Sequence, residues 1–150
     1  WSSDVCSSDL RLQSQMTSGI PTFLMPAAVR AIETQAEDSA RMREVFAGRA
    51  RLVADLLAEI DRFRVVPPSG AFYAFPDISD CFGLASPGGR RIDSASSFAE
   101  ALLEEADVAV VAGDDFGEVA RSHVRISFAC SDEQIRAGLD RIRTFVGSLA

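Results

Sequence analysis

A chain of 150 residues with 47% apolar composition can support one compact core, since domains commonly hold about 100–150 residues. Charged residues make up 25% of it and the formal net charge is -7, so no basic field is present to attract nucleic acid or an anionic membrane. No apolar run approaches the roughly 20 residues of a membrane span, and the N-terminus lacks the basic and apolar regions of a signal peptide, so the expectation is a cytoplasmic protein.

All fifteen Lys+Arg residues are arginine. The chain contains no lysine at all. Cys6, Cys81 and Cys130 are far apart and odd in number, and His123 is the sole histidine. Neither a disulfide nor a metal site is expected from that spacing.

In chain order, Ser2-Ser3-Asp4-Val5 is nearly repeated by Ser7-Ser8-Asp9-Leu10, with no apolar period to dock either copy on a core. Residues 1–10 therefore read as a non-native leader, with a frayed native terminus as the alternative. From Thr22 the pattern is helical, provided Pro26 lies in the first turn. Met42, Val45, Phe46, Val53, Leu56, Leu57 and Ile60 then recur at helical spacing as one apolar stripe. Together these predict one long or kinked helix from about Thr22 to Ile60, long enough to bridge two domains.

Beyond Pro67-Pro68-Ser69-Gly70, the run Ala71 to Pro76 is apolar on both faces and predicts a buried strand, with Arg64-Val65-Val66 as its partner. Glycine, proline and serine between Asp77 and Asp93 predict a mobile loop. Ser97-x-x-Glu100 is a capping-box pattern opening a helix with Phe98, Ala101, Leu102 and Ala106. Val108 to Val111 follows as a second buried strand. Ser131-x-x-Gln134 opens the last helix, whose apolar face is Ile135, Leu139, Ile142 and Val146. The fold class is α/β, with helices packed on a small sheet.

The segment His123 to Ala129 is the most chemical in the chain. As a strand it points Val124, Ile126 and Phe128 one way and His123, Arg125 and Ser127 the other. Arg125 then stands on a polar face, where its planar fork of donors matches the two oxygens of a carboxylate. On spacing alone, Arg125 reads either as a carboxylate ligand or as a solvating residue of an amphipathic strand.

An ordered series of blocks bears on that choice: Leu12 to Ser18, Pro68 to Tyr73, Val108 to Gly113 with Phe116-Gly117, and His123 to Ala129. From about Arg11 to its end the chain resembles the C-terminal part of class I pyridoxal-phosphate aminotransferases, nearest to the aspartate aminotransferase branch. The resemblance implies the C-terminal small domain of the fold-type I transferase fold, joined by a long helix to a large cofactor-binding domain. On that basis residues 11–35 are the tail of the large domain and residues 36–150 the small domain.

Several roles follow from the resemblance, each confined to a matching position. Arg125 stands where relatives grip the α-carboxylate of the substrate. Phe72 is a candidate wall on the substrate side of the pocket, with a core aromatic as its other reading, while Tyr73 is expected in the core. Thr17 and Ser18 are candidate cofactor contacts reaching a neighbouring subunit, or else ordinary turn residues. Gly19 and Ala112 depart from the asparagine and proline that relatives often carry.

The implied reaction is transamination between an amino acid and a 2-oxo acid in a homodimeric parent that binds pyridoxal 5'-phosphate. That chemistry needs a lysine to hold the cofactor as a Schiff base, and arginine, always protonated, cannot replace it. The fragment alone is therefore expected to be inactive. Two readings from other classes are an aminotransferase-like ligand-sensing domain of a transcription regulator and a non-catalytic α/β interaction module.

Overall fold

The computed structural model describes residues 3–16 and 18–150. The chain divides into two compact units, Trp1–Met42 and Arg43–Ala150.

The first unit holds helix α1 (Ser3–Met16), a 3-10 turn at Thr22–Leu24, and the start of helix α2 (Met25–Ala58). Ser3 onward is helical, including most of the Ser/Asp repeat, because neither glycine nor proline interrupts that stretch. Pro26 is the second residue of α2, where its missing N–H breaks no helical bond, as its spacing requires. Leu10, Leu12, Met16, Phe23 and Ile32 are exposed.

The second unit is built on one apolar core. Val53, Leu57 and Ile60 of the α2 region meet Phe98, Ala101 and Leu102 of helix α3 (Ala95–Ala106) and the expected apolar face of helix α4 (Asp132–Gly147). Phe98 is fully buried and packs edge-on against Phe145 at 5.6 Å and tilted against Phe63 at 6.1 Å. Full burial of such side chains stabilises by about 1.5–3 kcal/mol each.

Three short strands form an antiparallel sheet in the order β1-β3-β2: β1 (Tyr73–Ala74), β2 (Val111–Ala112) and β3 (Val124–Ser127). Tyr73 faces Ser127 and Val111 faces Arg125 in register. The alternation expected of β3 is present. Val124, Ile126 and Phe128 are buried in the core, Arg125 is half-buried and Ser127 exposed on the opposite face.

Several details differ from the sequence reading. The run Ala71 to Pro76 is buried on one face only: Ala74 and Pro76 point inward, while Phe72, Tyr73 and Phe75 are 38%, 36% and 36% exposed. Tyr73 is thus not a core residue, because the pleat of β1 sends it to the face of Ser127. The partner of β1 is β3, and Arg64 makes only an isolated bridge with Asp77, two hydrogen bonds of 2.9 and 3.0 Å. Pro67 and Pro68, lacking N–H donors, end that pairing.

Helix α3 is capped one turn earlier than expected. Ser94 is extended and its hydroxyl accepts from the Ser97 N–H, while the Ser97 hydroxyl accepts from the Ser94 N–H. Ser97 is the third residue of the box rather than its first. Similarly, Val108 to Val111 alternates between half-buried and exposed positions, and only Val111–Ala112 pairs as a strand.

The segment from Asp77 to Asp93 is pinned rather than loose. Ala85 exchanges hydrogen bonds with Ala150, Gly83 N–H donates to Ile92, and the Glu105 carboxylate accepts from the Ser86 hydroxyl at 2.6 Å and the Gly88 N–H at 3.0 Å. Arg90 spans Glu100 and Glu104 at 2.7 Å each. Cys81 within it is fully buried, and burial pushes its thiol up to about 11, so it serves as a protonated packing group. Cys81 and Cys130 are both free. Among the described residues no helix is long and apolar enough to cross a membrane.

Asp77 joins three segments: its backbone pairs with Arg64 and bridges to His123, and its carboxylate accepts from the Ser79 N–H at 2.8 Å. Burial alone would raise its pKa. The donors at Ser79 and Ser122 and the nearby His123 outweigh that, holding the carboxyl below its ordinary value. A depressed native value makes the stabilisation present at neutral pH and progressively lost as pH falls below about 4, through the native titration.

Two outcomes are expected in denaturant titrations. Phe98→Ala should cost about 3–5 kcal/mol through the cavity it leaves, whereas Val119→Ala, at a position 92% exposed, should change stability by no more than about 0.5 kcal/mol. Asp77→Asn should cost about 1 kcal/mol at pH 7 and progressively less as pH falls through the native titration, flattening the acid limb of the stability profile.

Candidate functional site

Strand β3 delivers Arg125 to the outer face of the sheet, and the neighbouring elements surround it with rings. Tyr73 comes from β1, with its centroid 4.6 Å from the guanidinium carbon, and Phe116 comes from the turn after β2, at 4.9 Å. Each such contact contributes about 0.5–2 kcal/mol, rising as water is excluded. Among the described residues no carboxylate pairs with Arg125. Arg90, by contrast, is saturated by two glutamates.

The rings continue outward on both sides. Phe116 meets Phe75 edge-on at 5.7 Å, and Phe75 stacks on the His123 ring at 5.0 Å. The His123 Nδ1 shares a 3.2 Å hydrogen bond with the Ser122 hydroxyl. On the other side Tyr73 touches Phe72 at 4.5 Å, and Phe72 touches Phe46 of α2 at 5.8 Å. Arg49 lies over Phe46 at 5.5 Å, but Asp132 at 3.1 Å occupies it. Among the described residues, Arg125 is therefore the guanidinium of this row without an acidic partner.

Phe116 is placed by a tight turn. Gly113 N–H donates to His123 C=O at 2.8 Å, His123 N–H to Ala120 C=O at 2.8 Å, and Ala120 N–H to Gly117 C=O at 3.0 Å. A Cβ at position 113 would lie 1.8 Å from the Ala120 oxygen, so only glycine fits there. Gly117 has φ 98, a conformation that favours glycine and ends the 3-10 turn carrying Phe116. The Ser96 hydroxyl, donating to Asp114 at 2.8 Å, ties the turn to α3.

Of the sequence-derived candidates, Arg125 and Phe72 are brought into one aromatic row, linked through Tyr73. Phe72 also lines a groove of about 670 Å³ with Phe46, Ala50, Pro67 and Pro68. Ala71 before it has φ 56, a strained turn for a residue with a Cβ, and the Phe72 C=O accepts from the Phe128 N–H at 2.9 Å. Ser18 is exposed, with φ 58, and belongs to the first unit. Thr17 lies outside the described residues. The ring contacts of Tyr73 and Phe116 escaped the sequence reading, although the Phe116-Gly117 pair was part of the resemblance.

Chemically, the arrangement offers a cation in contact with two rings, with its donors lying in its own plane. A planar acceptor with two oxygens, approaching edge-on, meets those donors in pairs.

Comparison with known proteins identifies the family of the chain. The model of the family "Aminotransferase class I and II" matches residues 1–142. The aspartate/prephenate aminotransferase of Cereibacter sphaeroides is 42% identical over 139 residues, covering 93% of this chain and 34% of that protein. A probable N-acetyl-LL-diaminopimelate aminotransferase of Bacillus subtilis is 37% identical over 95% of the chain and 34% of its own length. The crystal structure of an aspartate aminotransferase from Rhizobium meliloti superposes with a TM-score of 0.84 at 34% identity, over 98% of this chain and 36% of that one. The chain spans about a third of the length of these relatives. With the α/β fold, the matched residues and the solved relatives in agreement, the chain belongs to the class I and II aminotransferase family.

Proposed function

We propose that this chain is the C-terminal part of a cytoplasmic, homodimeric, pyridoxal-phosphate-dependent aminotransferase that transfers an amino group between an amino acid and a 2-oxo acid. In this reading residues 36–150 form the small domain of the parent, and Arg125 holds the α-carboxylate of the substrate. The observation that carries it is the Arg125 guanidinium, displayed on a strand, gripped by two rings and without an acidic partner among the described residues.

Both substrates of a transamination carry a carboxylate beside the reacting carbon. A single arginine can therefore orient the amino acid in one half-reaction and the 2-oxo acid in the other. The strand fixes the base of Arg125 while the rings fix its plane, so little side-chain freedom remains to be lost on binding. Phe72 supplies an apolar wall two ring contacts away along the row.

The residues of this chain do not by themselves fit pyridoxal phosphate. That group, when bound, serves as an electron sink and is held by a lysine amine. This sequence has none, and arginine stays protonated. The 150 residues alone are therefore inactive in this reading, and Thr17 and Ser18 would contact the cofactor only in the assembled parent.

The test uses the longest reading frame that contains this chain, purified with pyridoxal phosphate and assayed for transamination. Arg125→Lys should lower kcat/KM about 100-fold, chiefly through KM, since a bidentate charge-assisted pair contributes about 1.5–3 kcal/mol. The 150-residue chain should show no turnover above free cofactor. A variant within about twofold of the parent would remove Arg125 from substrate binding.

A further inference from the structure

Two rings from separate elements lie against the Arg125 guanidinium. We propose that Tyr73 and Phe116 are positioning residues that clamp the Arg125 guanidinium face-on, so that only its in-plane donors stay open and the site admits a planar carboxylate edge-on. This inference rests on the reading of Arg125 as the carboxylate ligand.

Three observations carry it. The guanidinium carbon lies 4.6 Å from the Tyr73 centroid and 4.9 Å from that of Phe116, so two rings from separate elements contact one group. Neither ring is a core residue: Tyr73 is 36% and Phe116 44% exposed. The Phe116 turn is built for accuracy. Gly113 allows a close approach that no other residue permits, Gly117 takes φ 98, and Phe75 braces the ring edge-on at 5.7 Å.

The physical consequence is a division of labour within Arg125. All five N–H donors of a guanidinium lie in its plane, and its faces are weakly hydrated and stack well on rings. Covering the faces removes water and rotamer freedom without consuming a donor. A freely rotating arginine, or a lysine with its compact ammonium, gains nothing comparable from the rings' spacing.

The experiment uses the 150-residue chain, with ¹H–¹⁵N NMR of the Arg125 Nε–Hε group and pyruvate as the carboxylate probe. In the free chain the Arg125 Hε signal should be displaced upfield from that of exposed Arg121 by the ring currents. Tyr73→Leu and Phe116→Leu should each move it back toward the Arg121 position, while Tyr73→Phe and Phe116→Tyr, which keep the rings, should not. Pyruvate dissociation constants should rise about fivefold in each leucine variant and stay unchanged in the ring-retaining pair. Leucine variants that bind pyruvate like the parent, while Arg125→Gln loses it, would overturn the clamp and leave the Arg125 reading standing. Unchanged binding in Arg125→Gln would overturn both. An Arg125 Hε signal without ring-current displacement would overturn the clamp independently of any ligand.

Discussion

The face of the sheet that carries Arg125 depends on what happens on its other face. Val124, Ile126 and Phe128 are buried with Phe98, Leu102 and Ile142, and that burial sets the register and tilt of β3. Because side chains alternate along a strand, fixing the three apolar residues also fixes Arg125 between them. A one-residue slip would bury the guanidinium and expose the core. The apolar packing of the small unit thus holds its cation in place, and the cation–ring contacts add orientation to a position the core has already set.

Much of this was legible in the residues. The alternation of β3, the stripe of α4 and the Ser131–Gln134 box are local patterns with fixed periods, and each appears where its period places it. The long helix was legible too, because Pro26 falls where a first turn tolerates it. What could not be read was pairing over distance. Phe72, Tyr73 and Phe75 look like core because aromatics favour buried strands. Their outward placement follows from the register with β3, some fifty residues away. Ser94 and Ser97 sit three apart, so either could open the cap of α3, and only the extended backbone at Ser94 selects it.

The candidate site shows the same division. Arg125 was visible as the polar member of an amphipathic strand, and the order of the surrounding blocks suggested the role proposed for it. Phe116 carried no spacing signal of its own, since its contact with Arg125 crosses a turn whose shape depends on the close packing of Gly113 against Ala120 and His123. Membership of the aminotransferase family fits this distribution of labour. In the proposed reading, a unit with no lysine would contribute substrate recognition through Arg125, and the Schiff-base lysine would lie outside these 150 residues.

The central claim is that the in-plane donors of Arg125 are a carboxylate receptor. A crystal structure of the longest reading frame containing this chain, with a bound amino-acid or 2-oxo-acid analogue, tests it most directly. The account predicts both carboxylate oxygens in the guanidinium plane, at about 2.7–2.9 Å from two of its nitrogens, with Tyr73 and Phe116 still in contact with it. A carboxylate bound elsewhere, with Arg125 paired to an aspartate or glutamate of the protein, would contradict it.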